Sequence, residues 1–197
     1  MTKMTKKIRA LCVVAHPDDE TIWMGGTIMK KDSWEWTIFS LCRKNDSDRM
    51  PKFRKTCDLY GADSIISDLD DEVLEPLKIK EIENKILENL SEKEYEHVFT
   101  HGENGEYGHI RHREIHKAVK SLARKNNIKC NKLFFFSYDI FDGENIPKPT
   151  EKADLIINLT SAEKKKKKKL ITEVYGFAED SFESLSCNQK EAFILSK

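Results

Sequence analysis

Short apolar runs recur along the chain, separated by longer stretches whose apolar residues repeat at helical spacing. The runs Ile8–Ala15, Trp36–Cys42, Ser64–Ile66, His97–His101, Lys132–Ser137 and Leu155–Leu159 predict strands. Between them, Thr21–Lys31, Pro51–Tyr60, Leu77–Leu90, Arg111–Asn126 and Ser161–Phe177 predict helices. In the last of these, Leu170, Ile171, Val174, Tyr175 and Ala178 keep helical spacing, and Thr160 with Glu163 has the pattern of a capping box. Strand–helix alternation of this kind predicts an α/β fold, a Rossmann-like, mostly parallel sheet with helices on both faces. The stretch Asp139–Lys152, with Pro147 and Pro149, reads as a long loop of the kind that often binds ligands. The tail after Glu179 has no decisive pattern. Neither a repeat nor a linker interrupts the alternation, so residues 1–197 are expected to form one domain.

The run Lys164–Lys169 lies in the last predicted helix. Six consecutive residues cover every face of a helix. The apolar stripe that follows, projected backward, puts Lys166 and Lys167 on the sheet side, with buried stems and ammonium groups snorkelling to water. Leucine at those two positions is then expected to be neutral or stabilising. A solvated helix face is the plain account of the run. The alternative is a non-enzymatic module that docks on phosphates or an anionic membrane.

A length of 197 residues suffices for a substantial core, and 39% hydrophobic with 35% charged residues describes a globular chain with a charged surface. Lys+Arg and Asp+Glu both total 34, so net charge gives no attraction to nucleic acid, and no such partner is expected. The cysteines Cys12, Cys42, Cys57, Cys130 and Cys187 are scattered, without a Cys-x-x-Cys pair, which fits reduced thiols in the cytoplasm. Met1–Lys7 is basic, but the apolar stretch after it is only strand-length, unlike a signal peptide. No run approaches the roughly 20 apolar residues of a membrane span.

Chemistry concentrates in two places. Ala15-His16-Pro17-Asp18-Asp19-Glu20 follows the first predicted strand, where ligands of open α/β sheets bind. Pro17 stiffens the turn and keeps His16 extended. His16 and Asp19 then offer one N and one O ligand suited to Zn²⁺, and Asp18 is left to face a water beside the ion. Helix capping would explain acids here but not the His-Pro before them. Gly25 and Gly26 permit close approach of the next helix to the sheet, or a kink.

The second cluster, His101 to His116, is rich in glycine (Gly102, Gly105, Gly108), so its backbone can bend around a ligand. His112-Arg-Glu-Ile-His116 has its Glu one position later than a His-Glu-x-x-His zinc helix requires. One ligand from this cluster, added to His16 and Asp19, completes a three-ligand site with an open position. His116 reads as a polar helix residue or a group behind the ligands, His97 as structural, and His101 as either.

Ala15-His16-Pro17-Asp18-Asp19-Glu20 and Tyr107-Gly108-His109-Ile110-Arg111-His112, in this order and at this distance, resemble the two signatures of the N-acetylglucosaminyl-phosphatidylinositol de-N-acetylase and LmbE-like deacetylase family. The resemblance runs from the first strand to about Phe177. It implies that His16, Asp19 and His112 hold Zn²⁺, that Asp18 is the general base and that His109 stabilises the charged transition state and protonates the amine. It further implies that Tyr107 is an oxyanion donor and Arg49 a substrate-binding group. The implied substrate is a small N-acetylglucosamine-type sugar or conjugate; a zinc amidase for a larger acyl group is the close alternative. Two positions depart from relatives. Arg111 stands where an acid often orients a histidine, a role Arg cannot fill because it has no acceptor. Lys52 stands where many relatives carry Glu, which suggests a more anionic substrate.

Overall fold

The computed structural model describes residues 7–196. Apart from Lys7, the basic N-terminal stretch lies outside them. In chain order the elements are β1 (Arg9–Val14), α1 (Asp19–Lys30), β2 (Glu35–Cys42), α2 (Arg49–Tyr60), β3 (Asp63–Leu69), α3 (Ile79–Asn89) and β4 (Glu94–Thr100). They continue with the short turn α4 (Gly105–Gly108), α5 (Ile110–Arg124), β5 (Lys129–Phe136), β6 (Tyr138–Asp139), β7 (Lys148–Pro149), β8 (Leu155–Asn158), α6 (Ser161–Lys169), α7 (Phe182–Leu185) and β9 (Lys190–Leu195).

Seven strands form one sheet in the order β3-β2-β1-β4-β5-β9-β8. The first five run parallel; at one edge β9 pairs antiparallel with β5, and β8 in turn pairs antiparallel with β9. The strands alternate between two apolar layers. Ala10, Cys12 and Val14 of β1 face a cluster with Trp23, Phe53 and Ile171. Leu11, Val13 and Ala15 face another with Ile82, Ile86, Ile115 and Val119. Helices therefore cover both faces, which is why the central strands read as continuous apolar runs. Burying one such Leu, Ile or Val side chain contributes about 1.5–3 kcal/mol.

The chain order reverses between β1 and β4, which pair directly from Ala10↔His97 to Val13↔Thr100. Open α/β sheets bind ligands outside the carboxyl ends of strands at such a reversal. The two motifs follow these two strands, so the sheet brings together segments some 90 residues apart.

Gly26 provides close approach: a Cβ there would lie 2.4 Å from Leu159. The capping box of Thr160 and Glu163 is present. Several sequence expectations need correction. The last helix is α-helical only to Lys169; Leu170–Val174 is a π turn, in which the Tyr175 N–H donates to the Leu170 carbonyl at 3.0 Å. The apolar stripe ends there, and Ala178 is exposed. The tail contains a full sheet strand, β9, with no decisive signal in its sequence. The loop within Asp139–Lys152 carries the β6–β7 ladder and lies apart from the cavity described below, which takes Phe182 and Glu183 from the tail instead.

The lysine run also departs from expectation. Lys166 is exposed, whereas Lys167 is fully buried. The Lys167 ammonium does not snorkel; it donates to Glu191 Oε1 at 2.7 Å, and both side chains are 0% exposed. Glu191 also accepts from the Gly26 and Thr27 backbone N–H groups and the Thr27 hydroxyl, tying β9 and α6 to α1.

Candidate metal centre and active-site cavity

Pro17 and Asp18 turn the chain sharply from β1 into α1. Asp18 has φ 112, a left-handed conformation that costs a non-glycine residue about 1–3 kcal/mol. Buried Glu20 supports the turn: its Oε2 accepts from the Asp18 N–H at 3.0 Å, and its Oε1 accepts from the Thr21 and Tyr175 hydroxyls. The π turn thus ends in a side chain that braces the first motif. Strain held in place by a buried network is typical of functional positions.

Three donor atoms meet beyond this turn. Asp19 Oδ2 lies 3.2 Å from His16 Nδ1 and 3.4 Å from His112 Nε2, and the two nitrogens are 3.3 Å apart. Ligands about 2.0–2.1 Å from a tetrahedral Zn²⁺ stand about 3.3–3.4 Å from one another, so this triangle fits three corners of such a site. Asp19 is held in this orientation by two hydrogen bonds, the Trp23 indole N–H to Oδ1 at 3.0 Å and the His16 backbone N–H to Oδ2 at 2.8 Å, which leave a lone pair of Oδ2 toward the histidines. Burial opposes charge on both histidines, but the close carboxylates of Asp19 and Asp71 lift His16 to about 9, and the Asp19 carboxylate lifts His112 to about 10. The donor set attracts positive charge, as a cation site should.

His101 also approaches Asp19 Oδ2, at 3.6 Å. Its Nε2 already accepts the Ala15 N–H at 2.9 Å, so that lone pair is committed and His101 serves as a brace. Its Nδ1 and that of His112 share Glu106 Oε2, at 2.9 and 2.6 Å. Glu106 is fully buried, and its other oxygen accepts the Gly102 N–H. It supplies the histidine-orienting carboxylate missing at position 111. His116 Nδ1 lies 3.0 Å from the His101 carbonyl, behind the ligands, and His97 stacks on Trp34, away from the site.

A cavity of about 430 Å³ opens on this centre, lined by His16, Asp18, Asp19, Trp23, Arg49 and Tyr107, among others. Burial, and next the Asp19 carboxylate, push the Asp18 carboxyl upward; Arg49 and His16 oppose this. Arg49 Nη1 donates to Asp18 Oδ2 at 2.6 Å, and its guanidinium lies over Phe177 at 4.5 Å. His109 also lines the cavity. Burial, then the neighbouring His112, bring it down to about 4. Its Nδ1 accepts the Arg111 N–H at 3.3 Å, which leaves the proton of the neutral ring on Nε2. Burial pushes the Tyr107 hydroxyl upward, so it remains a donor. Lys52 pairs with Asp48 at 2.7 Å and does not line the cavity, which removes the argument from Lys52 for an anionic substrate.

The residues expected from sequence are therefore brought together: His16, Asp19 and His112 through the short distances among their donor atoms, with Asp18, Arg49, Tyr107 and His109 on the cavity wall. Sequence reasoning missed Trp23, Glu106 and Asp71. Glu106 had one sign, its place beside Tyr107 in a histidine-rich loop; Trp23 is i+4 from Asp19 on α1; Asp71 had none.

Comparison with known proteins bears on family and fold. A model of the family described as PIG-L, GlcNAc-PI de-N-acetylase, matches residues 11–123. An uncharacterised protein of Acanthamoeba polyphaga mimivirus is 28% identical over 152 residues, which cover 68% of this chain and 63% of that protein. The chain thus spans less than two thirds of the curated relative it matches. The N,N'-diacetylchitobiose deacetylase of Pyrococcus horikoshii superposes with a TM-score of 0.67 at 17% identity, covering 95% of this chain and 83% of that one. The 4-carboxy-2-hydroxymuconate hydratase of Pseudomonas putida superposes with a TM-score of 0.59 at 15% identity, covering 96% and 95%. At such identities, the likeness to these two structures shows the fold. The family match spans more than half of the chain and includes both motifs, and the chain belongs to the GlcNAc-PI de-N-acetylase family.

Proposed function

We propose that this protein is a Zn²⁺-dependent hydrolase that removes the N-acetyl group from an N-acetylglucosamine-type sugar or conjugate. The observation that carries this reading is the triangle of His16 Nδ1, Asp19 Oδ2 and His112 Nε2, set beside the strained, cavity-facing Asp18. A Zn²⁺ held by these three atoms would supply Lewis acidity, polarising a carbonyl and lowering the pKa of water to about 7. The chain's own residues account for the remaining chemistry. Asp18 takes the proton of the water that attacks the acetamide carbon. The Tyr107 O–H and the His109 Nε2–H donate to the carbonyl oxygen as it gains charge. Asp18, rather than the neutral His109 expected from the resemblance to protonate the amine, then passes its proton to the nitrogen as the C–N bond breaks, leaving acetate and an amine. Arg49 opposes the upward push on the Asp18 carboxyl, holds it by a hydrogen bond and offers its remaining donors to a sugar hydroxyl.

A hydratase with the same fold shows that the fold alone does not decide the reaction, so the assignment rests on the site. A larger acyl group is the close rival, and acyl-chain profiling separates it. The anion-docking module loses support, because Lys167 is buried and Lys168 and Lys169 pair with Glu179 and Glu173. The reading is tested by acetate and amine release from a panel of N-acetylglucosamine conjugates, with longer N-acyl analogues and an enoyl acid for hydration beside them. Release of acetate in preference to longer acids supports it; hydration without amide cleavage overturns it.

A further inference from the structure

Arg111 departs from relatives that carry an acid at this position, and the structure gives it different work. Its side chain is fully buried, and all five guanidinium N–H groups are used. Nε donates to the Asp70 carbonyl at 2.6 Å, and Nη1 to the Glu75 carbonyl at 2.9 Å and to Glu114 Oε2 at 2.8 Å. Nη2 donates to the Val73 carbonyl at 2.9 Å and to Asp70 Oδ2 at 3.3 Å. Glu114 extends the clamp by accepting the Leu77 N–H at 2.8 Å. The clamped segment, between β3 and α3, has no regular structure of its own, and its apolar residues Val73 and Leu74 are 59% and 56% exposed. Of its apolar residues only Leu77, at its end, packs against the core, so the position of the stretch 70–75 depends largely on the buried guanidinium.

This segment carries Asp71. Asp71 Oδ2 accepts from Arg43 Nη2 at 2.6 Å. Its Oδ1 is buried, accepts no well-aligned hydrogen bond, and stands 3.1 Å from His16 Nε2. His16 Nδ1 is the atom turned toward Asp19 and His112. A histidine that gives one ring nitrogen to a metal usually donates the other to a carboxylate or carbonyl, which fixes its tautomer and strengthens it as a ligand.

We infer that Asp71 is the positioning residue for His16 at the metal centre, and that Arg111 holds Asp71 there by clamping the segment between β3 and α3. The inference rests on the metal reading of the site under Proposed function. Through adjacent residues, the start of α5 then serves both histidines: His112 directly, and His16 through Arg111 and Asp71.

The test is the zinc dissociation constant of the full-length protein, measured by chelator competition, with the melting temperature followed in parallel. Wild type and His112→Ala are compared first, which tests the metal reading by itself. Asp71→Ala should weaken zinc binding about 10–100-fold without a matching loss of stability. Asp71→Asn, which keeps an acceptor, should recover part of the loss, and neighbouring Glu72→Gln should bind as wild type does. Arg111→Lys should weaken zinc binding alone but add little on top of Asp71→Ala, because both act through one contact. The d–d spectrum of the Co²⁺-substituted protein should shift in Asp71→Ala. Wild-type affinity in Asp71→Ala, or equal losses in Asp71→Ala and Glu72→Gln, would overturn the inference while leaving the metal site intact. Wild type that binds zinc no better than His112→Ala would overturn both. If Arg111→Lys fails to fold, the Asp71 series still decides the role of Asp71, and additive losses in a folded Arg111→Lys protein would refute the clamp.

Discussion

Neighbouring carboxylates do different work at this site. Asp19 is pinned through one oxygen by Trp23 and turns the other to the histidines, whereas Asp18 is turned into the cavity on a strained backbone and paired with Arg49. Asp18→Asn is therefore expected to keep its zinc and lose activity by roughly 10²–10⁴-fold, the usual contribution of a positioned base. Asp19→Ala and His112→Ala are expected to lose the metal itself. Metal content and turnover, measured on the same preparations, separate the two roles; zinc loss in Asp18→Asn would merge them. Arg49→Ala should raise KM and also lower kcat, since Arg49 both lines the cavity and holds Asp18. A steady-state series on one good substrate checks this, and a change in KM alone would mean that the Asp18 contact is dispensable. At this scale the sequence was readable where chemistry is local. His16, Asp18 and Asp19 lie within one turn at a strand end, and Tyr107, His109 and His112 within another. Glu106 and Asp71 were not readable as participants, because their roles come from burial and from contacts between distant segments.

Among the elements, the parallel core was legible because its strands are buried on both faces and read as plain apolar runs. The antiparallel edge was not. β9 reads Lys-Glu-Ala-Phe-Ile-Leu, and its glutamate points inward to a buried lysine on α6, a pairing that no periodicity reveals. That partner reverses the expectation for the lysine run. Lys167→Leu would leave the Glu191 carboxylate buried without its cation, at a cost of about 3–5 kcal/mol, which lowers the melting temperature by roughly 10 °C. Lys166→Leu, on the exposed side, should change stability by no more than about 0.5 kcal/mol. Thermal melts of the two variants test this. Equal melting temperatures would show that the buried pair contributes little. The π turn had no sequence signal either; it follows from Leu170 and Ile171 being buried while Tyr175 reaches Glu20.

In the whole molecule, the order of strands creates the site. β1 and β4 lie side by side at the reversal of the sheet, so the loop after each supplies half of one centre, while α5 and the clamped segment between β3 and α3 hold its histidines. No helix among the described residues is long and apolar enough to cross a membrane. The account predicts that hydrolysis depends on bound metal at a single stoichiometry. The most direct test is acetate release from an N-acetylglucosamine conjugate as zinc is titrated into metal-free protein. The account predicts no release without metal and a linear rise that levels off at one zinc per chain. Full activity in the metal-free protein, or none at saturating zinc across the substrate panel, would contradict it.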